Sequence, residues 1–206
     1  MRFKLWRSVT SATTVRGMRA VVESNEWTDE ALMALPRDGQ KYELLGGELA
    51  VSPTGFQHGY IALRLASALL AFALKHRLGV VVDSSTGFRM KSGDCLSPDV
   101  SFVGKERLGR QKQVSAKFFQ GPPDLVVEVI SPGERQKKFK QKLAQYFAGG
   151  TRVAWVVNPK DRTVTVYESP EPSRILRADE RLDGSPLLPG FTFPIKELFE
   201  LPDFDP

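Results

Sequence analysis

Two acidic residues lie in stretches of sequence that are otherwise strongly apolar. Glu128 is the only charged residue within Leu125–Ile130, and Asp99 precedes the apolar run Val100–Val103. A buried carboxylate is costly unless a cation or a metal ion pairs with it. An Arg or Lys partner for Glu128 and a strand-entry turn at Pro98-Asp99 are the ordinary structural explanations. If the two strands are neighbours, however, both carboxylates could bind one hard cation, with water and a substrate phosphate as its other ligands.

The rest of the composition restricts which metal ion such a site could hold. The 206 residues include two histidines and one cysteine, so no zinc-finger spacing is present. A site built mainly from oxygen ligands favours Mg²⁺ or Mn²⁺. The lone cysteine, Cys95, also excludes an internal disulfide and indicates a reducing compartment, so we expect a cytoplasmic protein.

The length and charge of the chain indicate a globular protein with a polyanionic partner. Hydrophobic residues make up 41% of the sequence and charged residues 26%, which is ordinary for a globular chain. The longest apolar run, Ile61–Leu74, is interrupted by Arg64 and Ser67, so we expect no membrane partner. The net charge of +5 suits a nucleic acid.

The N-terminal segment differs from the rest of the chain. Residues 1–22 contain five basic residues and no acid, which is compatible with a targeting peptide or with an extended or misassigned start. We expect residues 1–22 to be a disordered or dispensable extension, and residues 23–206 to form a single domain.

Hydrophobic periodicity and turn residues predict an alternation of helices and strands. Two strand-like runs around Gly46-Gly47 predict a two-residue hairpin that places Glu43 and Glu48 on the same face. Residues 57–77 have apolar side chains at helical spacing on more than one face, which predicts a long, well-buried helix. Further helices are predicted at 27–35, 134–148 and 195–201, and strands at 80–83, 86–90, 97–103, 124–130, 153–157 and 163–167. This order predicts an α/β (α+β) domain with one mixed sheet flanked by helices.

Several short motifs follow one another at characteristic spacings along the chain. They are Tyr42-Glu-Leu-Leu-Gly-Gly-Glu-Leu49, Thr86-Gly-Phe88, Ser97-Pro-Asp-Val-Ser-Phe-Val103, Pro123-Asp-Leu-Val-Val-Glu-Val-Ile-Ser-Pro132, Lys142-Leu-Ala-Gln-Tyr146 and Trp155-Val-Val-Asn-Pro159. In this order they resemble the Uma-two family of restriction endonucleases, which belongs to the PD-(D/E)xK nuclease superfamily. The resemblance extends from about Trp27 to Leu201 and implies a restriction-endonuclease-like fold.

The resemblance also implies roles for three residues. Asp99 matches the first acid of the nuclease motif and Glu128 the second, and together they are expected to bind the metal ion. The lysine that usually lies two residues after the second acid is replaced by Ile130. The family is thought to supply this lysine from the next helix, which implies Lys142. The spacing of the apolar residues agrees, since it places Lys142 at the edge of the buried stripe, although a solvated lysine in a basic run is the alternative.

Two positions depart from the family pattern. Lys138 stands where family members often carry an acid, and Asn158 stands where the pattern usually has an aspartate. Neither departure changes Asp99 or Glu128, but either could alter substrate handling or a supporting salt bridge.

Two further residues are candidates for the site. Glu48 could be a third carboxylate, and a solvent-facing hairpin glutamate is the alternative. His58 shares the inward face of its helix with Ile61 and Leu65, so it could belong to the site or be a satisfied core histidine.

Together these observations predict an endonuclease that hydrolyses phosphodiester bonds in DNA with Mg²⁺ or Mn²⁺. A homodimer is expected because cutting two strands needs two sites. The main alternative is a catalytically silent nuclease-like module that binds DNA or protein. A carbohydrate-cleaving enzyme with two carboxylates is a third option, but the sequence has only three Trp and four Tyr for an aromatic-lined cleft.

Overall fold

A computed structural model describes residues 27–35, 41–52, 55–109, 115–131 and 136–204, and the predicted extension at 1–22 lies outside them. In chain order the helices are α1 (Asp29–Met33), α2 (Phe56–His76), α3 (Lys105–Leu108) and α4 (Gln136–Gly149), followed by a 3-10 helix (Ile195–Leu198). The strands are β1 (Lys41–Leu45), β2 (Glu48–Ser52), β3 (Gly79–Asp83), β4 (Phe88–Arg89), β5 (Cys95–Leu96), β6 (Val100–Gly104), β7 (Phe119–Gln120), β8 (Leu125–Val129), β9 (Val153–Asn158), β10 (Thr163–Tyr167), β11 (Pro172–Leu176), β12 (Arg181–Asp183) and β13 (Thr192–Pro194).

A six-stranded mixed sheet forms the centre of the domain, in the order β11-β10-β9-β8-β6-β3. Strands β8 and β9 are parallel, and the other neighbouring pairs are antiparallel. Strands β6 and β8 are buried along their whole length because both faces of the sheet are covered. The predicted mixed sheet flanked by helices is therefore confirmed.

The alternation of side chains along β8 divides the core into two layers. Leu125, Val127 and Val129 pack with α2 on one face of the sheet. Val126 points to the other face, where it packs with α4. Because Glu128 lies two residues after Val126, its side chain also projects toward α4. The same period brings Asp99, which precedes β6, to the α4 side.

The N-terminal hairpin belongs to a second sheet, in the order β2-β1-β5-β4-β7. Strands β1 and β2 pair as predicted, with Glu43 opposite Ala50 and Leu45 opposite Glu48. Gly46 and Gly47 both have positive φ, at 60° and 75°, as a two-residue hairpin turn requires. A Cβ on Gly46 would lie 2.8 Å from the side chain of Gln141, so the hairpin turn packs closely against α4.

Helix α2 has the predicted position but not the predicted burial. Ile61, Leu65, Leu69 and Ala73 are fully buried against the central sheet, whereas its outer face is open. The helix is long and apolar enough to cross a membrane, by length and composition alone. The expectation of a well-buried helix was wrong because only one of its two apolar faces packs against the sheet.

The C-terminal segment contains more regular structure than the single helix predicted at 195–201. Strand β11 extends the central sheet, β12 and β13 pair with each other, and residues 195–198 form the 3-10 helix. Six buried apolar side chains of this segment complete the core beside α2: Leu182, Leu188, Phe191, Phe193, Ile195 and Leu198.

Candidate active site

Asp99 and Glu128 lie on adjacent antiparallel strands. Val100 pairs with Val127, and continuing this register by one step places Asp99 opposite Glu128. Both side chains are buried, with relative exposures of 6% and 5%. The backbone N–H of Val129 donates a hydrogen bond of 2.8 Å to Asp99 Oδ2, which ties the first acid to the strand of the second. The structure thus brings together the two acids that the sequence singled out.

Asp99 is held by two cationic or polar side chains from elsewhere in the fold. Lys41 Nζ lies 2.9 Å from Oδ1, and His58 Nε2 lies 3.0 Å from Oδ2. Burial alone would raise the pKa of Asp99, but the His58 hydrogen bond and the Lys41 ammonium outweigh burial and hold the pKa well below its usual range. His58 therefore faces Asp99 from the first turn of α2, and Asp99 is a carboxylate at neutral pH.

Glu128 accepts two hydrogen bonds at the same oxygen, both from α4. Lys142 Nζ lies 2.8 Å from Oε1, and the Tyr146 hydroxyl donates to Oε1 at 2.7 Å. Burial raises the pKa of Glu128 to about 7, against the opposing effect of the Lys142 charge. Burial and the Glu128 charge raise the pKa of Tyr146 well above its ordinary value, so its hydroxyl keeps the proton that it donates.

Lys142 lies between two carboxylates. Its Nζ is 2.8 Å from Glu128 and 2.9 Å from Glu43, and its side chain is 9% exposed. Burial alone would lower the pKa of Lys142, but Glu128 and Glu43 raise it above its ordinary value. The lysine is therefore a buried ammonium group at neutral pH, and the solvated alternative does not describe its position.

Glu43 and Lys41 were not predicted as site residues, although both belong to the cluster. They alternate with Leu45 along β1 and project toward α4 and β6, where Leu45 joins the apolar layer beside α4. Glu43 also accepts a 2.7 Å hydrogen bond from the backbone N–H of Ser97, two residues before Asp99. The only available signal was the two-residue period of Lys41, Glu43 and Leu45, which does not show what the hairpin packs against.

Glu48 lies outside this cluster. Its side chain is 60% exposed, and its carboxylate is 3.6 Å from Lys138 Nζ. The predicted shared face with Glu43 is present in the hairpin, but Glu48 lies next to the turn and faces the exposed first turn of α4. Lys138, one of the two departures from the family pattern, thus has an acidic partner on the hairpin.

Asn158, the other departure, stabilises a turn. Its side chain donates to Asp161 at 2.8 Å and accepts from the backbone N–H groups of Lys160 and Asp161.

Asp124 is the other acidic residue near β8 and lies immediately before the strand. It accepts hydrogen bonds from the Gly104 N–H and from Arg107, and so has a structural role at the opposite end of the strand from Glu128.

The donor set of the cluster suits a hard cation. Its titratable members are Lys41, Glu43, His58, Asp99, Glu128 and Lys142, so three carboxyl groups face two amino groups and one imidazole. Within the described residues, no three His, Cys, Asp or Glu side chains are arranged to hold a metal ion by themselves. Mg²⁺ commonly keeps several waters and uses one or two carboxylates together with substrate phosphate, so Asp99 and Glu128 fit this ion in kind and number.

A cavity of about 230 Å³ reaches the Lys41 end of the cluster. Its lining residues include Leu32 and Met33 of α1, Phe118 before β7, and the serines Ser84, Ser85 and Ser97. A space lined by both apolar and polar residues therefore lies beside β1.

Comparison with known proteins gives one family and one fold. The family model Uma2, described as "Putative restriction endonuclease", matches residues 29–196, a range that contains every member of the cluster. A solved structure described as a "putative nuclease belonging to DUF820", from Anabaena variabilis ATCC 29413, is 21% identical with a TM-score of 0.73, over 84% of this chain and 97% of that chain. At this identity the structural match shows a shared fold. No curated protein matches the chain.

Proposed function

We propose that this chain, which belongs to the Uma2 family, is an endonuclease that hydrolyses phosphodiester bonds in DNA with the help of Mg²⁺ or Mn²⁺. The observation that carries the proposal is the position of Lys142. Its Nζ lies 2.8 Å from Oε1 of Glu128, and Glu128 lies on β8, next to the strand that Asp99 precedes. Two buried acids on neighbouring strands and a buried lysine from the next helix form one connected cluster. Such a cluster is costly to bury, so a functional role accounts for it better than stability does.

Asp99 and Glu128 are the residues that would hold the metal ion, and the Val129 carbonyl is a further oxygen donor. The ion would polarise the phosphodiester and favour the attack of water on phosphorus. The protein's own contribution is to keep both carboxylates aligned before substrate arrives. The Val129 N–H and His58 orient Asp99, and Tyr146 orients Glu128.

Lys142 acts as a fixed positive charge. Its two carboxylate neighbours keep it protonated, so it does not take a proton from water. Instead its ammonium group orients the attacking water and offsets the negative charge that develops on the phosphoryl oxygens. This assignment gives the lysine an orienting role and not the role of a base.

Glu43 and Lys41 are positioning residues. Glu43 fixes the second side of Lys142 and is itself tied to the Ser97 backbone. Lys41 pairs with Asp99 through its amino group, and Lys41 is also one of the residues that line the neighbouring cavity. The hairpin thereby determines where the reactive groups stand.

A DNA substrate suits the charge of the chain. The net charge of +5 favours a polyanion, and basic side chains near α3 and α4 could contact its phosphates. Lys137 and Lys140 are exposed on the first turns of α4. Arg110, Lys112 and Arg135, which belong to the same basic stretches of the sequence, lie outside the described residues.

The alternative is a nuclease-like module that binds without cutting. It is favoured by the pairing of all three carboxyl groups with Lys or His, so that each acid already has a basic partner within the protein. The two proposals differ in whether the purified protein nicks DNA or only binds it.

The test is incubation of the protein with supercoiled plasmid DNA in Mg²⁺, in Mn²⁺ and in EDTA, beside a structured RNA of similar length. We expect nicking of the plasmid in either metal ion, none in EDTA, and slower cleavage of the RNA. Plasmid binding without nicking in any metal ion would support the binding module, and preferential cleavage of RNA would overturn the choice of substrate.

A further inference from the structure

Helix α2 presents a second apolar face to solvent. Phe56, Leu63, Leu70 and Leu74 have relative exposures of 83%, 67%, 41% and 61%. With 100° between successive residues, these four side chains lie within about 40° of one another and opposite the face that packs on the sheet. A continuous apolar stripe of this kind on a globular protein marks an interaction surface.

The stripe has the spacing of a helix–helix interface. Tyr60 and Ser67, with exposed or half-buried side chains, fall between the four large residues. The six positions 56, 60, 63, 67, 70 and 74 are separated alternately by four and three residues. This is the repeat that allows two helices to pack side by side along their whole length. The surface therefore fits a helix better than a loop or a strand.

Charge favours a second copy in the antiparallel orientation. Helix α2 contains no acidic residue, and its last turn carries Lys75 and His76. A parallel pair would place these cations beside their equivalents, whereas an antiparallel pair separates them and aligns the helix dipoles favourably. The central cation, Arg64, is turned aside, because it bonds to Glu197 at 3.0 Å.

The stripe is complementary to itself in this orientation. Centring a two-fold axis near Leu65 sets Phe56 opposite Leu74 of the second copy and Tyr60 opposite Leu70. The remaining layer sets Leu63 opposite Ser67, a large side chain against a small one. Each of the six positions then has a partner within the same set, as an isologous interface requires.

We propose that the chain forms a homodimer in which α2 pairs antiparallel with α2 of a second copy, through Phe56, Tyr60, Leu63, Ser67, Leu70 and Leu74. The helix is about 32 Å long and roughly 10 Å wide, so the helix pair alone covers a small area for a protein interface. Interfaces at the small end of the range belong to reversible complexes, and we expect a micromolar dissociation constant. The pairing does not depend on the proposed activity.

The test is sedimentation velocity of the full chain across the micromolar range. The wild type is expected to change from monomer to dimer with concentration. Leu63→Glu and Leu70→Glu should raise the dissociation constant more than about 100-fold, because each buries a charge in an apolar interface. Ile175→Glu is the matched control, since Ile175 is 58% exposed on β11, away from α2. Circular dichroism checks that every variant is folded.

The orientation is tested with a short thiol-reactive cross-linker. Leu63→Cys/Ser67→Cys should give a covalent dimer, and Ser67→Cys alone should give far less. Efficient cross-linking by Ser67→Cys alone would indicate a parallel pair and overturn the antiparallel arrangement.

Two results would overturn the dimer itself. One is a dimer that survives Leu63→Glu. The other is a wild type that stays monomeric at every concentration tested. In that case, a loss of thermal stability in the Leu63→Glu variant would indicate that another segment of the same chain covers α2. Binding of the wild type to anionic lipid vesicles would instead indicate that this face contacts a membrane surface.

Discussion

Glu43 and Lys142 form a largely buried ion pair of 2.9 Å although they are 99 positions apart in the sequence. The pair joins the N-terminal hairpin to α4, and Lys142 extends the connection to Glu128. Because Glu43 also accepts from the Ser97 N–H, the hairpin is fixed to the strand entrance that carries Asp99 as well. One glutamate therefore links three separate parts of the chain around the proposed metal ligands.

Replacing Glu43 should weaken both the fold and the site. Glu43→Gln removes one of the two negative charges that face Lys142. We expect the free energy of unfolding to fall by about 2 kcal/mol, a smaller loss than if Lys142 had no acidic partner left. The nicking activity of Glu43→Gln should also fall, because Lys142 is then held on one side only and can shift. Urea unfolding measures the first effect. Glu48→Gln is the matched control, since its exposed pair with Lys138 should contribute less than about 0.5 kcal/mol.

Tyr146→Phe isolates the hydrogen bond to Glu128. The change removes a buried donor at 2.7 Å and leaves the aromatic ring in place, so we expect a destabilisation of about 1–3 kcal/mol. Tyr167→Phe, on half-buried β10, should be nearly neutral. Thermal or urea unfolding of the two variants gives the comparison, and equal stabilities would show that the Tyr146 hydroxyl does not hold Glu128.

The stability of the protein in acid should depend on Asp99. Its folded-state pKa lies below the unfolded value of about 3.9, so its contribution is fully present above that value and is lost as the pH falls toward the folded-state pKa. The free energy of unfolding should therefore fall less steeply below pH 5 in Asp99→Asn than in the wild type. Parallel pH profiles for the two proteins would contradict the contacts assigned to Asp99.

The Cys95 thiol should be unreactive in the folded protein. Burial in the second sheet raises its pKa to about 11, with Arg89 opposing the shift, so little thiolate forms at pH 8. A colorimetric disulfide reagent should react slowly under native conditions and rapidly in denaturant. Fast reaction with the native protein would mean that the sheet formed by β1, β4 and β5 opens readily.

The sequence was sufficient to predict the two acids and the lysine as candidates. An acid within an apolar strand is conspicuous in any sequence, and the two-residue period of β8 determines which face it occupies. Helical spacing in α4 likewise places Lys142 beside Phe139 and Leu143. Both are local patterns of the sequence, and the side chains face in the directions that these patterns predict. Their catalytic roles stay predictions.

The contribution of the hairpin could not be predicted in the same way. Lys41 and Glu43 reach the site only because β1 pairs with β5, a strand of two residues that has no periodic signal of its own. Which surface a hairpin packs against depends on contacts across the whole chain. For the same reason, the short strands after Ser169 could not be predicted, because their apolar residues fill a core that forms only beside α2.

The most direct test of the proposed site compares single-turnover nicking of supercoiled plasmid by the wild type, Glu128→Gln and Lys142→Met, with Glu168→Gln and Lys160→Met as exposed controls. We expect both cluster variants to lose at least about 100-fold in rate, and both controls to cut like the wild type. Circular dichroism must first show that each variant is folded. Cluster variants that are folded and cut at the wild-type rate would contradict the assignment of this cluster as the active site.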